Sequence, residues 1–339
     1  MDYHQKSNNN KYFYSLGNCP GFFMKSFLFA IVFCLVASTS FAQSFKNEFG
    51  FKTENDAYLA TLNDRYYTNG LFIYFRHAIN TEKLSDKIEK KTYEISAGQK
   101  MYTPYWGMVA NKEDQDRPFA GYLYAGGAYS IFYKNESVLK TSVELGTVGP
   151  NSLAQTAQRF LHKTVGFYTP AGWDYQIKNE LAINLAANYS KLLFRPEDPI
   201  VDISAQGYAN LGTTFSGLGT SLLFRIGKVN QLFNSAYHNA VIGNAKTKSL
   251  HNSEFFFYIK PQLNFVAYDA TIQGSLFNNN SPVTFGVKPI VFEQQFGVNY
   301  SSKRFTADFN VIFKTKEVKS VAKAQNYGGL SLYYRFGKT

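Results

Sequence analysis

The sequence is nearly free of cysteine: only Cys19 and Cys34 occur in 339 residues. Both lie in a leader-like segment. Lys25 precedes the apolar run from Phe27 to Ala37, and Ser40-Phe41-Ala42 offers small residues for cleavage, the pattern of a secretory signal peptide with Met24 as an alternative start. Cys34 sits inside the apolar run and does not read as a lipid-anchor site. Residues 1–42 are therefore set aside, and residues 43–339 are read as one domain without cysteine. An exported chain without disulfides must be stabilised by other means. Also missing is any later apolar run long enough for a membrane-spanning helix, and the leader run is itself too short for one. No Gly-x-Ser-x-Gly, His-Glu-x-x-His or phosphate-binding glycine loop occurs, so the common serine-hydrolase, zinc-protease and nucleotide-binding signatures are absent. No linker divides the domain and no internal repeat is visible.

What is abundant is aromatic: 25 tyrosines and 32 phenylalanines. Apolar and polar residues alternate in Phe305-Ala307-Phe309-Val311-Phe313, in Leu330-Leu332-Tyr334-Phe336, in Leu139-Val143-Leu145 and in Leu181-Ile183-Leu185. A period of two with one apolar face describes a sheet that divides two environments. Long strands, turns holding Asn, Gly, Lys and Ser, and a last strand running to Phe336 favour a barrel over a sandwich. In lipid every backbone group must be paired, so the sheet must close. The pattern predicts strands near 45–55, 65–78, 91–101, 119–133, 137–147, 174–190, 198–213, 216–227, 253–267, 284–299, 303–314 and 326–337. The expected fold is thus all-β: a closed antiparallel transmembrane barrel of about 12 strands. Residues 230–252 read as a polar, extracellular loop. The formal net charge of +11 loses two with the leader (Lys6, Lys11, Lys25 against Asp2) and stays basic. For an exported chain this points to anionic lipid headgroups rather than nucleic acid.

The clearest interruption of the strand pattern is Gly149 to Gln176. Pro150 breaks the preceding strand, and Ser152 with Gln155 fits a capping box. Leu153, Ala157, Phe160, Leu161 and Thr164 share one side at helical spacing, while Gln155, Gln158 and His162 share the other. Gly166 and Pro170 are stops. A short helix is expected, with His162 on its polar face. Taken alone, such a histidine is a solvated surface residue. Three other stretches stand out, at 54–70, at 100–104 and at 116–121 with Lys112 before it, and the first carries the clearest chemistry. Glu54-Asn55-Asp56, followed by Asn63-Asp64-Arg65 and Thr68, concentrates hard oxygen donors suited to Ca²⁺, although such a stretch also makes an ordinary turn. Asn55 and Asp56 are neighbours and cannot both face one side of a strand, so a bulge or strand end is expected there. His162 supplies a base of near-neutral pKa for ester hydrolysis, and a bound cation can stabilise the oxyanion. Ser152 remains open as a nucleophile. His77, His238 and His251 receive no role.

Asn55-Asp56, Tyr67-Thr68-Asn69-Gly70, Tyr102-Thr103-Pro104, Asp116-Arg117-Pro118, Gly149-Pro150, Gln158 with His162, and Gly172-Trp173 with Gln176 occur in that order. Together, over about Glu54 to Tyr189, they resemble the outer-membrane lipid A 3′-O-deacylases of the LpxR family. The resemblance implies a twelve-stranded barrel in the bacterial outer membrane, with an active site between the barrel wall and a short helix near the outer end. It implies a carboxylic ester hydrolase acting on the 3′-linked acyloxyacyl chains of lipid A. It also implies Ca²⁺ as cofactor, a phospholipase A2-like mechanism and lipopolysaccharide as the partner; a monomer is expected. Carried over by motif, His162 is the general base, with Thr68 and Asn55 beside it. Asp56, Asn55 and Glu54 serve the metal, and Lys112, Arg117 and Gln158 serve the substrate. The family has a Lys-Arg pair after the Tyr-Ser/Thr-Pro motif; here Lys112 is followed by Glu113, and Arg117 is the nearest further cation. An outer-membrane phospholipase and a non-catalytic porin-like barrel stand as the alternatives.

Overall fold

Alternation of apolar and polar residues closes this sheet on itself. The computed structural model describes residues 44–59, 64–80 and 85–338; the expected signal peptide and its boundary at residue 42 lie outside them. Twelve antiparallel strands form a closed barrel in sequential order. They are β1 (Phe45–Asn55), β2 (Tyr66–Ala78), β3 (Ile88–Thr103), β4 (Ala120–Tyr133), β5 (Ser137–Val148), β6 (Glu180–Phe194), β7 (Val201–Gly212), β8 (Phe215–Lys228), β9 (Glu254–Asp269), β10 (Ile290–Ser301), β11 (Phe305–Lys314) and β12 (Gln325–Lys338). Pairing of β1 with β12, from Phe45↔Lys338 to Asn55↔Gly328, removes the last free edge. Two expected strands begin later than the pattern suggested. Trp173–Tyr175 is a 3-10 turn ahead of β6, and the chain before β10 carries only an isolated bridge, Val287↔Val318.

Side chains alternate across the wall. Phe49, Phe51, Ile73, Ile95, Leu145 and Leu181 are exposed on the outer face. The inner face is polar and charged. Arg76 Nη1 meets Glu48 at 2.8 Å, Arg76 Nε meets Glu94 at 2.5 Å, and Arg335 Nε meets Glu48 at 2.9 Å. Interior cavities of about 460, 430 and 360 Å³ share lining residues, among them Tyr74, Lys52 and Lys260.

An even strand number puts both ends of the barrel chain at one rim. The β8–β9 connection, expected as an extracellular loop, leaves from that same rim, opposite the helix that carries His162. The longer connections otherwise cluster at the helix end, which is the outer end by the general rule for such barrels. Residues 229–253 are also not a loose polar loop. They fold into the barrel mouth, with Leu232, Phe233, Ala236, Ala240 and Ile242 buried. Lys90 Nζ donates to Asn234 Oδ1 (3.0 Å) and to the Ala240 carbonyl (2.6 Å). Glu254 accepts from the amides of Asn230 (2.8 Å) and Ala236 (2.6 Å), and Gly243 N donates to the Phe45 carbonyl (2.8 Å). The segment is a plug.

Two α-helices occur among the described residues, both at the helix-bearing rim: α1 (Ala154–Val165) and α2 (Ala270–Gln273). The expected capping box at Ser152 does not form. A 3-10 turn occupies Pro150–Ser152, and Leu153, with φ 59°, starts α1 without a side-chain cap. The Ser152 hydroxyl is buried and donates to the Gly149 carbonyl at 2.5 Å, which also leaves it badly placed as a nucleophile. Gly166 ends α1 in the left-handed region at φ 76°, as its position suggested.

Candidate active site

The site forms where β1 and β2 leave the barrel and α1 lies back on the wall. β1 stops at Asn55, whose Oδ1 accepts from Ala57 N at 2.7 Å and turns the chain into a 3-10 turn at Asp56–Leu59. The strand end resolves the clash of faces between Asn55 and Asp56. The Asp56 carboxylate is buried and its Oδ2 accepts from Arg65 N at 2.7 Å. β2 then begins at Tyr66 in a left-handed conformation, φ 62°. Its register against β3 skips from Tyr67↔Tyr102 to Asn69↔Met101, so Thr68 occupies a bulge. The bulge directs Thr68 Oγ1 to Asp64 Oδ1 at 2.9 Å, with Asp56 Oδ1 at 3.5 Å.

α1 supplies the other half. Its polar face is turned inward: Gln158 is 2% and His162 6% exposed. The helix fits flat because its seat is cleared for it. A Cβ on Gly121 of β4 would lie 2.4 Å from the Ala154 Cβ and 2.0 Å from Ser152 Oγ. Met101, Phe119, Ala154 and Trp173 pack in a buried cluster beneath it. Gln99 Nε2 donates to the Ser152 carbonyl at 2.6 Å. Gln158 and His162, one turn apart, thus face the bulge.

Their meeting point is Asp64. Its Oδ2 accepts from His162 Nε2 (2.8 Å), Gln158 Nε2 (3.0 Å) and Tyr168 Oη (2.6 Å), while Oδ1 takes Thr68. Trp173 Nε1 donates to Gln158 Oε1 at 2.7 Å and fixes the amide's orientation. The His162 Nδ1 lies 2.7 Å from the Tyr168 carbonyl. A carbonyl can only accept, so Nδ1 carries a proton and Nε2 is the nitrogen facing the site. Burial pulls the His162 pKa down, but the hydrogen bonds to Asp64 and to the Tyr168 carbonyl, with the Asp64 charge, leave it above the ordinary value. Burial raises the Asp64 carboxyl, yet its hydrogen bonds from His162 and Tyr168 hold it below the usual range. Asp56 shifts the other way. Burial, with the nearby Asp64 charge, pushes it up to about 8 against the hydrogen bonds it accepts.

The expected residues are therefore only partly brought together. Asp56, Thr68, Gln158 and His162 converge, with Asn55 at the turn. Glu54 faces the lumen, where its carboxylate meets Lys52 Nζ (2.6 Å) and accepts from Tyr67 Oη (2.5 Å). Lys112 is exposed on a 3-10 turn, 3.8 Å from Glu113. Arg117 is buried; it donates to Thr271 Oγ1 at 2.9 Å and lies 4.2 Å from the Tyr102 ring centroid. The sequence does not mark Asp64 or Tyr168 as partners of His162. Asp64 stood in the acidic stretch already noticed, and only the fold shows it at His162. Tyr168 gave no signal, because the loop beyond Gly166 carries it back to the histidine.

Among the described residues no group of three or more His, Cys, Asp or Glu side chains is arranged to hold a metal ion. Ca²⁺, however, takes amide, hydroxyl and backbone oxygens as readily as carboxylates. Asp56 is a buried carboxyl beside Asp64 and Thr68, and the Asn69 Oδ1 is buried without a hydrogen-bond partner. These oxygens fit a hard cation.

Comparison with known proteins settles the family. The model of the family described as outer membrane protein LpxR matches residues 27–336. The chain belongs to the LpxR family. The structure of LpxR from Salmonella typhimurium is similar with a TM-score of 0.68 at 18% identity, covering 85% of this chain and 100% of that one. The β domain of the Bordetella autotransporter BrkA gives a TM-score of 0.45 at 10% identity, covering 86% of this chain and 100% of that one. A search of curated proteins finds no match. As a member of this family with a closed barrel, the chain is an outer-membrane protein.

Proposed function

We propose that this protein hydrolyses the ester holding 3′-linked acyloxyacyl chains on lipid A, at the outward-facing site between α1 and the β2–β4 wall. The observation that supports this most is the inward turn of the helix's polar face, which places His162 on Asp64 beside Asp56 and Thr68. A surface helix of a water-soluble domain would turn that face outward. The LpxR family and the fold support the same reading.

His162 is the general base, acting through Nε2 while the Tyr168 carbonyl holds the proton on Nδ1. In the described arrangement Nε2 donates to Asp64, so base action requires a water to enter between them. Asp64, retained by Thr68, Gln158 and Tyr168, then stabilises the imidazolium formed when that water is deprotonated. Asp56, with Asn55, Thr68 and the free Asn69 Oδ1, would hold Ca²⁺. Bound there, the ion would supply positive charge for the ester oxyanion. Glu54 is better assigned to the lumen than to this set, and Arg117 to bracing the loop than to the headgroup.

The test is substrate choice. Purified protein in Ca²⁺ is offered lipid A and phosphatidylethanolamine side by side. Acyl release from lipid A is expected; release from phosphatidylethanolamine alone would assign the site to a phospholipase.

A further inference from the structure

With the polar face of α1 turned to the wall, its other faces are left outside. Phe160 is 68% and Leu153 57% exposed, and Val165 and Phe167 are exposed beyond them. Leu153, Ala157, Phe160, Leu161 and Thr164 form one flank at helical spacing. Arg159 and Lys163, four residues apart and exposed, form another. The helix thus has a buried face of Ala154, Gln158 and His162, an apolar flank half-buried at Ala157 and Leu161 and uncovered at Leu153 and Phe160, and an uncovered cationic flank.

Its seat shows what surrounds it. Met101 and Gly121 are directly paired on β3 and β4 and share the outward face of the wall. Further along the same face of β3, Ile95 and Tyr93 are exposed, as lipid-facing residues of an outer-membrane barrel must be. Met101 is fully buried because α1 covers it. The helix therefore occupies wall surface that the lipid-facing residues continue. On the strands that flank it, Leu145 of β5 and Leu181 of β6 carry the exposed apolar band towards the same rim. Across the neighbouring loop, Tyr105, Trp106 and Met108 are exposed, and the Trp106 ring lies 6.0 Å from that of Tyr168. Aromatic and cationic residues beside an apolar flank are the composition of a helix lying in a membrane interface.

We infer that α1 is embedded in the outer leaflet. Leu153 and Phe160 lie among the acyl chains, while Arg159 and Lys163 reach the headgroup phosphates. The leaflet then covers the side of the helix that protein does not, and it brings an acyl ester to the level of His162. The placement rests on the barrel's membrane location rather than on the catalytic reading.

Residues 43–339 contain no cysteine, so single-site spin labels can be introduced without background. The full barrel carrying Phe160→Cys, and separately Lys163→Cys, is labelled and reconstituted into phosphatidylcholine vesicles containing lipopolysaccharide. Collision of the nitroxide with oxygen and with a water-soluble nickel chelate is then measured. The expected result is a Phe160 label reached mainly by oxygen and a Lys163 label reached mainly by the chelate. Equal, chelate-dominated collision at both sites would overturn the proposal. So would dipolar broadening between Phe160 labels on separate barrels, because a second copy would then cover the face. The readout does not depend on turnover, so loss of the esterase reading would leave it intact.

Discussion

At the level of single residues, Asp64 holds His162 through a 2.8 Å contact from its Oδ2 to Nε2. Asp64 raises the His162 pKa by its hydrogen bond and its charge. A base must be unprotonated, so a raised pKa moves the acid limb of the pH–rate profile to higher pH. Asp64→Asn removes the charge, and its acid limb should lie at lower pH than the wild-type limb, read from kcat/KM between pH 5 and 9. An unmoved limb would mean that Asp64 does not act on the base. The same pair links stability to pH. The raised His162 pKa contributes stability that is full below 6.5 and lost as pH rises through the folded value. The lowered Asp64 pKa contributes stability present above 3.8 and lost as pH falls through its depressed value. Protection factors of the α1 amides, which remove the intrinsic pH dependence of exchange, should therefore be highest between those limits and lower on either side. Asp56, pushed up to about 8, is largely protonated at neutral pH and must lose its proton to take Ca²⁺. Ca²⁺ binding at pH 7 should thus release close to one proton, measurable by calorimetry in buffers of different ionisation enthalpy. Asp56→Asn should abolish that release and weaken binding, and proton release that persists in the variant would place the metal elsewhere. Sequence spacing was enough to find His162 and Gln158 together, because i and i+4 share a helix face. It could not find Asp64 as their partner, since that contact spans 98 residues of chain and depends on a bulge at Thr68.

At the scale of the element, the helix is positioned by what is absent beneath it. Gly121 leaves room that any side chain would fill. Gly121→Val should lift the start of α1 from β4, with a local cost of about 1–3 kcal/mol as for other overpacked sites. Turnover should fall while the barrel keeps its heat-modifiable migration in gels. Full activity would show that the close seat is dispensable. The helix was legible from Pro150, the apolar spacing and Gly166, and its end came out as written. Its start did not, because Ser152 is drawn back to the Gly149 carbonyl by the 3-10 turn. Its orientation was legible only in part. Periodicity separates two faces but does not say which one meets solvent, and here the usual assignment reverses because one of the solvents is lipid.

At the scale of the whole molecule, strict alternation made the barrel readable, since each face of the sheet answers to a different medium. The β8–β9 segment was misplaced for a related reason. Its polar residues suggest a solvent-facing loop, whereas Asn230, Gln231 and Asn234 are buried and hydrogen-bonded within the mouth. With that mouth filled, the intact protein should show little steady conductance in planar bilayers. Deleting residues 231–252 should open one, and a steady open-pore current from the intact protein would contradict the plug. On the proposed reading, this outer-membrane barrel deacylates lipid A through His162. The most direct measurement is the mass spectrum of lipid A before and after incubation in Ca²⁺ with the wild-type protein and with folded His162→Ala. The expected result is loss of the 3′-acyloxyacyl mass with the wild type and a rate lower by on the order of 10²–10⁴ for the variant. Equal loss with both proteins would contradict the role of His162, and an unchanged spectrum with the wild type would contradict the proposed activity.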